Sequence, residues 1–434
     1  MSSAPSLLKT FQKAYQNTDL TPLTDPQDLA KFGVEYGRNS LEELEQLIAD
    51  NASQAAKIVF SGHRGCGKST LLAALGRQLS DRYFVSVFSI ADTIEMSDVN
   101  HVNILFAIAV NMMLEAEKQQ IEISQAIKDS FYKWFAKRTK IETEKLSAEL
   151  SGGFNFWSWL VGKLSAESSV RKEIRQEFEN NISDLVAKLN EIAAVIQSGS
   201  NKKVIVIVDD LDKLELSVVK LVFQNHIKAL FLPGFNIIYT IPITSLWNAP
   251  IRAFLETESD DQIVVMPVSK LSPKEERRNS HPNYYEATVE NLCQVLNRRI
   301  PSELLPAEIT RAIVLASGGV LRELIRISNR CCRICLREIR RHPDRNDIKI
   351  SAEILEQAIN SIRLDFEVTL GKIDYEILVT TYKNFSPDDP KAQAFLDLLQ
   401  GLHILEYRNS DIWYDVHPIV IDLLQRKGLI DGNS

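Results

Sequence analysis

Nine consecutive residues, Gly62-His63-Arg64-Gly65-Cys66-Gly67-Lys68-Ser69-Thr70, fit the pattern G-x-x-x-x-G-K-[ST] in full. The chemistry that such a string supports is the holding of a phosphate chain. Its glycines let backbone N–H groups converge on phosphate oxygens, and a helix opening at Lys68 adds the positive end of its dipole. Lys68 suits the neutralisation of β- and γ-phosphate charge, and the Ser69 hydroxyl suits a place in a Mg2+ shell. Cys66 reads as a small loop residue, with a reactive thiol as the other option. A second cluster, Asp209-Asp210-Leu211-Asp212, follows the apolar run Val204–Val208. Carboxylates at the carboxyl end of a buried parallel strand stand where ligands bind. Asp209 is the candidate to orient Mg2+ through its water shell, and Asp210 to polarise an attacking water. Asp212 can cap the next helix.

These residues need elements to hold them. A short apolar run, Lys57–Phe60, precedes the glycine loop, and Leu71–Leu79 follows it with helical spacing. Tyr83–Ile90, Asn201–Val208, Phe235–Ile241 and Gln262–Val268 read as four further strands. Strands separated by helices predict an α/β fold with a parallel sheet covered on both sides. His101–Arg138 and Ser168–Gln197 read as two long helices forming a hairpin that projects from the sheet. Between them lies the aromatic segment 151–164, with Phe154, Phe156, Trp157 and Trp159. It suits an interface or a membrane surface, or else the apolar tip that holds the hairpin together. Upstream, Leu7–Gln16 is a short amphipathic helix and Thr18–Pro26 a turn-rich link. Ser40 with Glu43 forms a capping box for a helix over Leu41–Asp50. Downstream, residues 284–341 are helical and 342–347 are a polar break. Strand patterns at Ile404–Arg408 and Ile412–Val416 flank Asn409-Ser410-Asp411, and a helix, a hairpin and another helix make the pattern of a winged helix. The expected organisation is a helical approach (1–50), a phosphate-binding domain (51–270, with an insert at about 101–197), a helical lid (271–350) and a winged-helix domain (351–434).

Composition narrows the class. The chain has 434 residues, 45% of them hydrophobic, and a net charge of −7. It can bury substantial cores and is not a nucleic-acid coat. No apolar run is long enough to span a bilayer, the N-terminal segment is polar, and five cysteines make no disulfide framework. The expectation is a reduced, cytoplasmic protein.

The phosphate loop, the strand ending in Asp209-Asp210-Leu211-Asp212, the helical lid and the winged helix together resemble the AAA+ superfamily, and especially its STAND branch of signal-transduction ATPases. Origin-recognition-type AAA+ initiators share the module order. The resemblance covers residues 30–430 and implies binding of ATP or ADP with Mg2+ and slow, switch-like hydrolysis. AAA+ hydrolases usually carry Asp-Glu where this chain has Asp209-Asp210, and Asp-Asp is common in STAND proteins. Gly37-Arg38 looks like the Gly-Arg segment lying near base and phosphates in these families. Gly318-Gly319-Val320-Leu321-Arg322 is similar to the start of a sensor-2 helix, whose arginine reaches the phosphates. His417 matches the histidine that contacts the β-phosphate of ADP in STAND proteins, with Pro418 where their motif has Asp. Thr240 or Thr244 is the expected sensor 1, and Arg252 a possible arginine finger.

Residues 297–345 hold eleven Arg, no Lys and five Asp+Glu. Arg326, Arg330, Arg333, Arg337 and Arg340 or Arg341 share one helix face, which can hold nucleic-acid phosphates or an acidic partner, or simply be solvated. Cys331, Cys332 and Cys335 read as packing residues. Residues 366–434 carry six Lys+Arg against eleven Asp+Glu, a poor balance for reading DNA. The reading favoured is therefore an ATP-hydrolysing switch that self-associates and signals to a separately encoded effector or sensor protein. A DNA-binding AAA+ initiator or loader is the alternative.

Overall fold

The computed structural model describes residues 4–51, 55–139, 155–408 and 411–431, in two compact units. One comprises residues 39–61 and 71–265, the other residues 1–38, 62–70 and 266–434.

The first unit is built on a five-stranded sheet of β1 (Lys57–Gly62), β2 (Tyr83–Ser89), β3 (Lys203–Asp209), β4 (Asn236–Pro242) and β5 (Ile263–Met266), in the order β2-β3-β4-β1-β5. The sheet is parallel, with Tyr83 opposite Lys203 through to Ser89 opposite Asp209, and with Ile205 opposite Asn236. Val204–Val208 of β3 and all of β4 are buried, as unbroken Val/Ile runs require when helices cover both faces. The strand starting at Asn201 by pattern begins at Lys203, because Asn201 adopts a left-handed conformation (φ 55°) that ends the helix before it.

The insert departs from expectation. The two long helices are four, His101–Lys118, Gln125–Arg138, Ser168–Phe178 and Ile182–Ser200, broken near Gln120 (φ 54°) and Asn181. They do not project. Their apolar residues share one core with Val59 of β1, Phe84 of β2 and Val204, Val206 and Val208 of β3. The physical reason lies in His101–Met113, which is buried all round and so cannot be a hairpin arm in water. The aromatic segment belongs to the same core. Phe156 and Trp157 are fully buried, with ring centroids 4.9 Å from Tyr132 and 5.0 Å from Phe135 respectively, so these two rings offer no interface or membrane contact. Phe154 lies outside the described residues. Arg171, also buried, ties this layer together by donating to Asp98 (2.8 Å) and Glu95 (2.9 Å).

In the second unit, the helix Ala4–Asn17 packs on the helix Leu321–Arg341, where the Asn329 amide donates to the Thr18 carbonyl at 3.1 Å. The helical stretch after residue 284 resolves into Glu286–Asn297, Ala307–Ala316 and Leu321–Arg341. Then come Ala352–Glu367, Lys372–Asn384, Gln393–Gln400, the antiparallel pair β6 (Ile404–Arg408) and β7 (Ile412–Val416), and Pro418–Arg426. Cys331, Cys332 and Cys335 are buried, and burial raises all three thiols. The helix expected from Leu41 starts at Arg38 and takes in Ser40, which is buried within it. The left-handed Gly37 (φ 69°) makes the turn that Ser40 was expected to cap.

Candidate functional site

The glycine loop leaves β1 and ends where Lys68 opens the helix Lys68–Leu79. Gly65 (φ 82°) and Gly67 (φ 101°) are left-handed, and packing also excludes side chains at both. A Cβ on Gly65 would lie 2.4 Å from Cβ of Arg322, and one on Gly67 would lie 2.9 Å from Leu321 Cδ1. Lys68 is buried, and its ammonium donates to the carbonyls of Gly62 and His63 at 2.9 Å each. The Thr70 hydroxyl accepts from the Leu23 N–H at 3.1 Å, so the link before the helix Pro26–Phe32 is tied to the loop. Cys66 is buried, Ser69 half-buried and Arg64 exposed.

Two further backbone N–H groups of this unit donate to the loop. The Arg322 N–H donates to the Gly65 carbonyl at 2.9 Å. The Glu406 N–H of β6 donates to Nε2 of His63 at 2.7 Å. With Nε2 accepting, the proton of neutral His63 sits on Nδ1. Burial, then the charges of Lys68 and Arg408, pull the His63 pKa down to about 3. The imidazole is therefore a neutral acceptor for the strand. Nothing in the sequence pattern signals this contact, because the loop motif leaves the position of His63 unspecified.

The other sequence candidates of this unit lie as follows. Gly318 and Gly319 are left-handed. A Cβ on Gly319 would lie 1.9 Å from the Ser269 carbonyl oxygen, and one on Gly318 would meet Leu405 and Pro418 at 2.8 and 2.9 Å. His417 is buried. Its Nδ1 accepts from the Ile419 N–H at 3.2 Å, capping the helix Pro418–Arg426, and its ring lies 5.1 Å from Phe366. Burial, then His403 and Arg326, lower its pKa to about 3. Arg38 is exposed and pairs with Glu35 at 3.1 Å.

In the sheet unit, Asp209, Asp210 and Asp212 are buried and bring one carboxylate oxygen each within 4.8 Å of one another. Hard oxygen donors so clustered fit a divalent cation such as Mg2+. Asp210 is left-handed (φ 68°), and its carboxylate is held from two sides. The Ser89 hydroxyl donates to Oδ2 at 2.6 Å and the Lys213 ammonium reaches Oδ1 at 2.6 Å. Ser89 owes its place to register, since it stands opposite Asp209 across the β2–β3 ladder. Sequence reasoning missed it, because register is a pairing property. The Thr240 hydroxyl donates to the Val208 carbonyl (3.4 Å) and accepts from the Leu211 N–H (3.1 Å), tying β4 to the acidic turn. Thr244 is buried in the turn after β4, and Arg252 is exposed and pairs with Glu256 at 2.7 Å.

Three solved structures share a loose likeness with the chain. Cdc6p from Pyrobaculum aerophilum is 10% identical, covering 92% of this chain and 96% of its own, with a TM-score of 0.40. The Aeropyrum pernix Orc1 protein, solved in complex with DNA, is 11% identical over 93% and 96%, with a TM-score of 0.40. The Thermotoga maritima RuvB Holliday junction branch migration motor is 12% identical over 94% and 99%, with a TM-score of 0.36. No curated protein matches the chain. The model of the KAP family P-loop domain matches residues 38–280, which hold the glycine loop, the acidic turn and all five strands between them. On that match, more than half of its length, the chain belongs to the KAP family of P-loop NTPases.

Proposed function

We propose that this chain is an ATP-hydrolysing conformational switch of the AAA+ kind, close to its STAND branch. Lys68 and the loop amides hold the phosphates, Ser69 and Asp209 hold Mg2+, and Asp210 orients the attacking water. Mg2+ supplies charge neutralisation at the phosphates. The Ser89 hydroxyl and Lys213 keep Asp210 in one orientation. Arg322 follows the loop through its own N–H, so its guanidinium is suited to reading the terminal phosphate. The helices from Glu286 to Arg341 act as a lid, and those from Ala352 to Arg426, with β6 and β7, as a winged helix.

The observation that carries this reading is the bond from the Glu406 N–H to His63. A change in the loop's conformation on nucleotide exchange must keep or break it, and so must keep or release the C-terminal segment. Release exposes a face for self-association and for a separately encoded partner. The nucleic-acid alternative is weakened because Arg326 and Arg330 of the arginine stripe are paired with Asp365.

The test is the nucleotide retained on purification, with Lys68→Ala as the control, followed by light scattering in ADP and in ATP. Retained ADP and a larger particle in ATP are expected. A chain that binds neither nucleotide, or binds with Lys68→Ala as well as without it, sinks the reading.

A further inference from the structure

Away from the glycine loop, the second unit holds a cleft of about 490 Å³ whose lining is cationic. Lys9 and Lys13 reach it from the helix Ala4–Asn17, Lys31 from the helix Pro26–Phe32, and Arg298 and Arg299 from the residues after the helix Glu286–Asn297. No carboxylate lines it. Among the described residues, none of the five cations forms an ion pair, whereas arginines elsewhere in this unit do, such as Arg278 with Asp415 and Arg363 with Asp422. In a chain of net charge −7, five uncompensated cations around one small space are not the average surface.

The arginines are built in rather than loose. Arg299 is buried, and its Nη1 donates to the carbonyls of Phe32 (3.1 Å) and Val295 (2.8 Å). Arg298 donates to the Gly33 carbonyl, and the Asn17 amide donates to the Arg299 carbonyl at 3.0 Å. Burial, then the charge of Arg298, lower the Arg299 pKa to about 10. Attraction to the carboxyl end of the helix Glu286–Asn297 accounts for the two arginines. It does not account for three lysines arriving from two other helices.

We propose that this cleft binds a small anion bearing several phosphate groups. Guanidinium forks and ammonium groups together match phosphate oxygens, and the volume falls in the small-molecule range of roughly 300–1,000 Å³. A cleft of this size takes one polyphosphorylated molecule, and it is not a groove that tracks a strand of nucleic acid. The same headgroup chemistry is offered by a free inositol phosphate or by a phosphorylated lipid.

The experiment uses the full chain with its glycine loop disabled by Lys68→Ala, so that the outcome is independent of nucleotide binding. Calorimetry with inositol hexakisphosphate reads the free anion, and flotation with phosphatidylcholine vesicles, with and without phosphatidylinositol bisphosphate, reads the lipid form. Saturable binding in at least one arm is expected, weakened at least tenfold by Lys13→Glu with Arg298→Glu and unchanged by Lys172→Glu in the other unit. Circular dichroism checks that the reversed variant is folded, and the single reversal Lys9→Glu, on an exposed helix face, is the second variant. Binding in neither arm, binding indifferent to both reversals, or a preference for single-stranded oligonucleotide over both phosphate probes overturns the proposal.

Discussion

Ser89 and Lys213 clamp the carboxylate of Asp210 from two sides, and the clamp leaves a kinetic signature under the proposed chemistry. Ser89→Ala removes one charge-assisted hydrogen bond, and about 1.5 kcal/mol of lost positioning corresponds to a roughly tenfold lower kcat. The phosphate loop is untouched, so KM for ATP should stay constant. Steady-state phosphate release checks both, and a change in KM alone contradicts the assignment. His63 and His417 make a second residue-scale prediction. Both have folded pKa values of about 3, below the ordinary 6.5 of an unfolded histidine. Between those values the unfolded chain binds more protons than the folded one, so stability falls as pH drops below about 6.5. Each such group contributes a slope approaching 1.4 kcal/mol per pH unit. Denaturant midpoints between neutral and mildly acid pH should show that slope, and His63→Gln with His417→Gln should flatten it.

Among elements, the helix His101–Lys118 and the aromatic rings packed in its core decide what the insert is. Phe135 and Trp157 sit edge to face with centroids 5.0 Å apart, in a core shared with strands β1 to β4. Trp157→Ala should cost about 3–5 kcal/mol, the usual loss for a large buried ring. Equilibrium unfolding measures it, and a loss below 1 kcal/mol, as is usual at a surface position, would return these rings to the role of an exposed patch. The turn at Gly318-Gly319 makes a comparable case in the second unit. Gly319→Ala adds a Cβ 1.9 Å from a backbone oxygen, at φ 88°, where neither partner can yield by a side-chain rotation. A loss of about 1–3 kcal/mol from strain is expected, read as a lower melting temperature with the glycine loop's own sequence intact.

At the scale of the whole molecule, the C-terminal hairpin is fastened by charge as well as by apolar packing. Arg278 donates to both oxygens of buried Asp415, at 2.6 and 3.3 Å, and to the Tyr382 carbonyl at 2.7 Å. Removing one partner of a buried pair leaves the other uncompensated, so Asp415→Ala should destabilise this unit by about 3–5 kcal/mol. Hydrogen exchange over residues 404–426 should accelerate, while residues of the sheet unit keep their protection. Uniform acceleration through both units would contradict their division.

Much of this was readable along the chain because it depends on near neighbours. The unbroken apolar runs marked the five strands, and parallel pairing followed from burial of both faces. The phosphate loop pattern needs only a strand before it and a helix after it. Its match to a family of P-loop NTPases rests on residue order, which folding does not alter. Other features had no local signal. Whether 101–197 projects or lies in the core depends on which surface covers it. Ser89 meets Asp210 through strand register, His63 meets β6 across 343 residues of chain, and the cationic cleft gathers side chains from three segments. Such contacts are pairings between distant residues, and pairing is decided by packing in three dimensions rather than by spacing along one.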